Sequence, residues 1–411
     1  MRFHGAFDKS DISFGHPIAV CSFWHRFCRV ACPAVSAHFG PFAFLDAANR
    51  SRYPVLLMKT WHPPVVDFLR RHLPSDSFIR PYAKRIVEDA RSLVNSRRDW
   101  TLREQLAPGT LFVETTNICN ADCIFCAYQH QASFRPGKGV MTDELFDRTL
   151  SDYTALVPEA SDRHVNFTPL VGEPLVDPKI IERVGKAKAI GADVTFFSNG
   201  ILLNRIDIPA LLATGMDRIF VSTAPFDRES HERLYRTHGK YEDLLAGVQK
   251  LLEARNAAKA ETRVNLMFRS HIPLKEIVEL PDFKNKILPH LRPKEVKNLY
   301  AQVRGFDSWG GQISQSDLLT GMALAQAPRL KRRPCLWTFN LMVMYDGLVR
   351  ACSCRFTGTE RVGTDGLLVG NLQEQNLTEI WNGGAIRNLR RTFENGTLHD
   401  VCKSCTMYRS V

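Results

Sequence analysis

The chain has 411 residues, of which 44% are hydrophobic and 24% charged, with 11 cysteines and a formal net charge of +11. That length exceeds what one core usually supports, so roughly two or three domains are expected. No stretch carries the about 18 uninterrupted apolar residues of a membrane span, and Met1-Arg2-Phe3-His4, followed by Asp8 and Asp11, lacks the layout of a secretory signal.

A cytoplasmic, reducing compartment follows as the expectation, and there eleven cysteines read as metal ligands rather than disulfides. The positive charge comes without the basic helix or aromatic-interleaved motif of a nucleic-acid module, so no nucleic acid is expected. The charge suits docking of an acidic reductant such as a flavodoxin or ferredoxin.

Residues 1–105 read as a largely helical N-terminal extension. Its first part holds Cys21, Cys28 and Cys32 with His4, His16, His25 and His38. The spacing of Cys28 and Cys32 fits one helical turn as well as it fits ligation. Basic amphipathic stretches, Val65 to Arg71 and Ala83 to Ala90, either cover the flank of the next domain or touch a membrane surface peripherally.

Residues 106–305 alternate short β-branched or aromatic runs with helical segments, the pattern of parallel β/α units in an α/β fold. Strands are expected near 111–117, 165–171, 194–198, 218–223, 263–269 and 296–303, with helices near 142–157, 178–190, 206–214, 241–258 and 273–289. Six units are too few for an eight-stranded barrel, so an open partial (β/α)6 barrel is predicted, with ligands at the C-terminal strand ends. Four motifs fall on that rim: the loop Cys119-Asn120-Ala121-Asp122-Cys123-Ile124-Phe125-Cys126, then Val171-Gly172-Glu173-Pro174, Ser198-Asn199-Gly200 and Ser222-Thr223-Ala224.

Three cysteines on a cubane iron–sulfur cluster leave one iron free to take a small molecule, whereas four thiolates would close it. The triplet, the aromatic Phe125 before its last cysteine and the three following motifs resemble the core of radical S-adenosylmethionine (radical SAM) enzymes over about 105–305. The resemblance implies a [4Fe-4S] cluster on Cys119, Cys123 and Cys126 that binds S-adenosylmethionine, with Phe125 beside it. It implies Glu173 on the cofactor's amino group, Ser198 and Asn199 on its ribose, and Ser222 and Arg236 on its carboxylate. Those residue types match what an ammonium, a diol and a carboxylate require. One departure is Val171, where many members have a first glycine.

Residues 306–411 form the third predicted domain, small and cysteine-rich. Phe306 to Gly311 reads as a loop, and Lys331-Arg332-Arg333-Pro334 precedes Cys335. Thr338 to Val349 reads as a β-hairpin with Gly347 at its turn, followed by Cys352 and by Cys402-Lys403-Ser404-Cys405. This tail, with Gly370-Asn371-Leu372 and Leu377 to Asn382, resembles the SPASM/twitch extension over about 330–411. No cysteine follows in Thr406–Val411, so a single further site is expected. The implied ligands of one auxiliary [4Fe-4S] cluster are Cys335, Cys352, Cys402 and Cys405, with Cys354 a rival for Cys352. A structural zinc site is the alternative for the same four thiols.

The resemblance implies reductive cleavage of S-adenosylmethionine to a 5′-deoxyadenosyl radical that abstracts hydrogen from a small polar, sugar- or cyclitol-like metabolite. Net oxidation through the auxiliary cluster would match the related aminocyclitol dehydrogenases and sulfatase-maturing enzymes. A maturase acting on a peptide or protein side chain is the alternative, and a non-catalytic protein with a zinc-stabilised tail a third reading. Arg269, His271, Arg304 and Trp309, near strand ends or in the bridging loop, are candidate substrate contacts.

Overall fold

The computed structural model describes residues 76–95, 99–128, 137–353 and 365–411. The cysteines Cys21, Cys28, Cys32 and Cys354, and the amphipathic stretch Val65 to Arg71, lie outside the described residues. The first described helix is α1 (Arg80–Val94), which contains the predicted segment Ala83 to Ala90. It lies along the C-terminal tail: Asp89 Oδ1 accepts from the Arg329 and Leu330 amides at 2.7 and 2.8 Å, and Asn95 Nδ2 donates to the Val411 carbonyl at 2.8 Å. No described helix is long and apolar enough to cross a membrane.

Six strands run in chain order through one sheet, β1 (Leu111–Val113), β2 (His164–Asn166), β3 (Asp193–Ser198), β4 (Arg218–Thr223), β5 (Arg263–Arg269) and β6 (Tyr300–Gln302), each parallel to the next. Between them lie α2 (Asp143–Leu156), α3 (Ile180–Ala189), α4 (Ile208–Ala213), α5 (Arg228–Tyr235), α6 (Tyr241–Ala257), α7 (Leu274–Ile277) and α8 (Pro293–Lys297). The alternation of short apolar runs with helices thus gives the predicted six β/α units, because parallel neighbours need a crossover that covers the sheet.

Several elements differ from the sequence expectation: β1 and β2 end at Val113 and Asn166, short of the expected 117 and 171, α5 had no counterpart, and two segments further on change shape. The helix expected over 273–289 is broken into α7, a π-helical turn at Phe283–Ile287 and a 3-10 turn at Leu288–His290. Pro281 and Pro289 remove amide donors inside that span, which interrupts a regular ladder. The strand expected from 296 starts only at Tyr300, because Pro293 opens α8 and Glu295 Oε2 accepts from the Arg292 amide at 2.9 Å.

Burial alternates along β3, β4 and β5. Val194, Phe196, Ile219, Val221, Val264 and Phe268 are sealed under the helices in the main core. The opposite, half-buried face carries Phe197, Phe220, Ser222, Met267 and Arg269. Phe197 and Phe220 stack there with centroids 4.3 Å apart. Period-two strands separate core from site in this way: one face stabilises, the other is left to bind.

After β6 come β7 (Arg304–Phe306) and β8 (Ala323–Leu324), a separate parallel pair. The predicted hairpin is β9 (Leu341–Val343) and β10 (Leu348–Arg350), antiparallel, with Gly347 at φ 88° in the turn. It does not stand alone: β9 pairs parallel with β1, Leu341 opposite Leu111, and β11 (Leu368–Asn371) adds to β10, so among the described residues the sheet has nine strands. The chain closes with α9 (Leu377–Trp381), α10 (Gly384–Arg391) and α11 (Asp400–Ser404). Leu341 is fully buried in the main core. Leu341→Ala is therefore expected to cost about 2–5 kcal/mol, read as a lower urea midpoint with one cooperative transition. Loss of tail signals alone, with the barrel transition unmoved, would contradict a shared core.

Candidate active site and metal centres

The chain leaves β1 through Glu114, Thr115, Thr116 and Asn117, all buried. Two of them are committed locally: Thr116 Oγ1 donates to the Gly139 carbonyl at 2.9 Å, and Asn117 Nδ2 to the Gly137 carbonyl at 2.8 Å. The cysteine loop that follows is pinned to the end of α5. The Asp122 and Ile124 amides donate to the Tyr235 and Leu234 carbonyls at 3.1 and 3.0 Å, and the Cys126 amide to the Cys123 carbonyl at 3.0 Å. The Phe125 ring meets Tyr235 edge-on at 5.5 Å and Phe306 at 5.7 Å, and its carbonyl accepts from Trp309 Nε1 at 3.0 Å.

The second and third motifs converge on this loop. The Glu173 amide donates to the Ile118 carbonyl at 2.9 Å. Gly172 has φ 144°, and a side chain there would sit 2.8 Å from the Thr116 carbonyl oxygen, so this is the glycine the backbone requires. Val171, where the family pattern often has glycine, is instead buried with Leu170, Met342 and Met344. The buried Glu173 carboxylate accepts from the Asn199 amide at 2.7 Å and the Leu175 amide at 3.1 Å. Burial pushes it up to about 7 against those bonds and the Ser198 hydroxyl, which hold it down. Asn199 Nδ2 lies 2.7 Å from Asn120 Oδ1 and 3.9 Å from Cys119 Sγ. Cys119, Glu173, Ser198 and Asn199 are thus one neighbourhood, with Asn120 added by the structure.

In the fourth motif Ser222 bonds another arginine, while Arg236 lies apart. Ser222 Oγ accepts from Arg269 Nε at 3.2 Å, and the Arg269 guanidinium also bonds Gln302 Oε1. Arg236 is exposed, in the left-handed region at φ 50°, with a guanidinium nitrogen 3.9 Å from Asp122. Tyr235, buried, donates its hydroxyl to the Ser222 carbonyl at 2.7 Å. Burial and the nearby Cys123 push that phenol well up. The sequence reading missed Tyr235 with α5 itself. The signal was present: Asp227 caps the Ser230 amide at 2.8 Å, and His231, Leu234 and Tyr235 follow at helical spacing.

The donor chemistry fits a cluster on the first loop. Burial pushes Cys119 up to about 12, with Glu173 and Cys126 adding to it, and Cys123 rises for the same reason with Cys126 and Cys119 contributing. Thiols that raise one another in a dry place are poor nucleophiles alone and ready ligands for a cation, which removes their protons outright.

The four tail thiols also meet. Cys335 starts the 3-10 turn Leu336–Phe339, Cys352 follows β10, and Cys402 and Cys405 lie on and just after α11. All four line one cavity together with Phe393 and Tyr408, whose rings stack at 5.8 Å. The Met407 amide donates to Cys405 Sγ at 3.3 Å. Burial raises Cys335 and Cys402, and in both the next causes are Cys405 and Cys352. The seven cysteines of the described residues are all free thiols. Among the described residues no three or more Cys, His, Asp or Glu groups close in on a point as ligands of a single ion do.

Beneath the Cys402 to Cys405 turn sits Lys331, 6% exposed, whose Nζ donates to the Cys402, Lys403 and Cys405 carbonyls at 2.7, 2.7 and 3.1 Å. Between the two thiol sets, the loop containing Trp309 touches both: Trp309 bonds the Phe125 carbonyl, and Asp307 Oδ1 accepts from the Thr406 hydroxyl. Of the candidate substrate contacts, Arg269 and Trp309 are therefore engaged within the protein. Among the described residues, Arg304 Nε and His271 Nδ1 are buried atoms without a hydrogen-bond partner.

Comparison with known proteins gives a family. Residues 113–280 match the radical SAM superfamily and residues 335–406 an iron-sulfur cluster-binding SPASM domain. Over 147 residues the chain is 29% identical to a GTP 3′,8-cyclase of Rhodopirellula baltica, covering 35% of this chain and 39% of that protein. Over 152 residues it is 28% identical to an AdoMet-dependent heme synthase of Methanosarcina barkeri, covering 36% and 40%. The chain thus spans about two fifths of the length of these curated relatives. It is also similar to a crystal structure of BtrN in complex with AdoMet and 2-DOIA, 16% identical with a TM-score of 0.46, covering 73% of this chain and 93% of that one. With the radical SAM match over β1 to β5 and the SPASM match over the four clustered tail thiols, the chain carries a radical SAM domain and a C-terminal SPASM domain, and these imply a [4Fe-4S] cluster, S-adenosylmethionine and an auxiliary iron–sulfur cluster as cofactors.

Proposed function

We propose that the chain oxidises a small polar, sugar- or cyclitol-like metabolite, with Cys119, Cys123 and Cys126 holding the S-adenosylmethionine cluster and Cys335, Cys352, Cys402 and Cys405 a closed auxiliary one. When bound, these groups supply a hydrogen-abstracting 5′-deoxyadenosyl radical and an acceptor for the electron left on the substrate. Glu173 takes the cofactor's ammonium, and Ser198 and Asn199 take its ribose hydroxyls. Arg269, paired with Ser222 on the half-buried face, is a better carboxylate clamp than the exposed Arg236.

The observation that supports a polar substrate is the pair of unpartnered buried atoms, Arg304 Nε and His271 Nδ1, beyond the C-terminal ends of β6 and β5. Buried polar atoms are costly unless something bonds them. Burial and then the Arg233 guanidinium lower His271, so it is neutral near pH 7 and can accept or donate one hydrogen bond to a hydroxyl, while Arg304 brings a fixed cation.

The test offers reduced enzyme a panel of sugars and cyclitols deuterated on carbon. Deuterium in 5′-deoxyadenosine together with a product lighter by one hydrogen pair is the expected result; transfer from peptides alone would replace it with the maturase reading. Cys402→Ala should lower iron from about eight to about four per chain, keep S-adenosylmethionine cleavage and lose substrate oxidation. Full oxidation without the second cluster would contradict the electron-acceptor role.

A further inference from the structure

Lys331 is a buried ammonium whose three hydrogens are all used: they go to the carbonyls of Cys402, Lys403 and Cys405. Carbonyl dipoles solvate a cation, but they do not neutralise it. Among the described residues no carboxylate oxygen lies within 4.0 Å of its Nζ, and the nearby Asp89 already accepts two backbone amides at its Oδ1. A buried charge without a counter-ion is expensive, by several kcal/mol in proteins. Among the described residues, the other anionic groups this architecture can bring to it, besides the already engaged Asp89, are the thiolates around the adjoining cavity, whose wall carries Cys335, Cys352, Cys402 and Cys405.

We infer that Lys331 is a fixed counter-charge that raises the reduction potential of the auxiliary cluster, making it a better acceptor for the substrate's electron. A cubane on four thiolates is anionic, and one added electron makes it more so. A buried cation bonded to the backbone carbonyls of two of the four thiol residues would therefore stabilise the reduced form more than the oxidised one. The lysine acts through the cluster, so it is a positioning and tuning residue. This inference rests on the proposed ligand set.

The test is a mediated redox titration of the reconstituted full chain, followed by electron paramagnetic resonance, for wild type, Lys331→Gln and Lys331→Arg. Lys331→Gln keeps a hydrogen-bond donor and removes the charge. It should retain both clusters and lower the reduced-to-oxidised ratio of the second one tenfold or more at fixed potential, about 59 mV for one electron. The cluster on Cys119, Cys123 and Cys126 is the internal control and should not move. An unchanged second potential with the cluster retained would overturn the inference, leaving Lys331 as a clamp on the loop. Where Lys331→Gln loses the second cluster, its retention in Lys331→Arg supports the need for charge, and its loss there too contradicts it. A wild-type tail that holds zinc removes the ligand proposal itself, before any lysine variant is compared.

Discussion

Cys126→Ala reduces 5′-deoxyadenosine formation to background while leaving the fold and the tail cluster in place. Two thiols, Cys119 and Cys123, cannot hold a cubane that needs three, so the iron falls to about four per chain rather than to zero. The loop itself should persist, because its backbone is held by the Leu234 and Tyr235 carbonyls and by Trp309, none of which needs the Cys126 side chain. The variant should therefore keep the wild-type circular dichroism and an unfolding midpoint within about 1 kcal/mol of stability. Residual cleavage at a tenth of the wild-type rate would contradict the triplet as the site of chemistry.

The second large effect is on Glu173. Glu173→Gln keeps the shape but removes the charge that faces an ammonium, and a charged hydrogen bond contributes about 1.5–3 kcal/mol. The dissociation constant for S-adenosylmethionine should rise by about tenfold to a hundredfold. A pH dependence accompanies this in the wild type. The ordinary value of 4.5 is pushed up to about 7 by burial, so below that pH the ligand-free carboxyl carries a proton which the cofactor must displace. Affinity should then weaken by up to about tenfold per pH unit on going from 7 toward 5, and the Glu173→Gln variant should lose that slope. The stability of the ligand-free protein runs the other way. A carboxyl whose folded value lies above its unfolded one contributes stability that is complete below about 4.5 and is lost as the pH rises through about 7. Isothermal titration and urea unfolding at matched pH values measure the two halves; a flat affinity profile would contradict the role given to Glu173.

The sequence made the barrel legible because the strands are short β-branched or aromatic runs whose partners are their chain neighbours. The convergence of Glu173 and Asn199 on the cysteine loop was legible for the same reason: each ends a strand on the same rim. Pairings between elements were harder to read. Ser222 meets Arg269 because β4 and β5 align Ser222 with Met267, which brings the end of β5 alongside; only the register reveals it. Arg236 sits one residue after α5, and its left-handed backbone turns it outward. Lys331 reads in sequence as the start of a basic run, Lys331-Arg332-Arg333, the composition of a solvated surface. It is buried because α11 and the final residues fold back over it, as Tyr408 shows by donating its hydroxyl to the Arg333 carbonyl at 2.8 Å. The parallel pairing of β9 with β1 was equally hidden, since roughly 230 residues of chain separate the two and no local pattern encodes a contact of that span.

Two cubanes of opposite character are proposed for one chain, one open to S-adenosylmethionine and one closed by four cysteines. Anaerobic reconstitution with metal analysis, followed by paramagnetic resonance of the reduced protein with and without S-adenosylmethionine, measures this most directly. About eight irons per chain, no zinc, and two cluster signals of which the cofactor perturbs one are the predicted result. About four irons with one zinc, or perturbation of both signals, would contradict it.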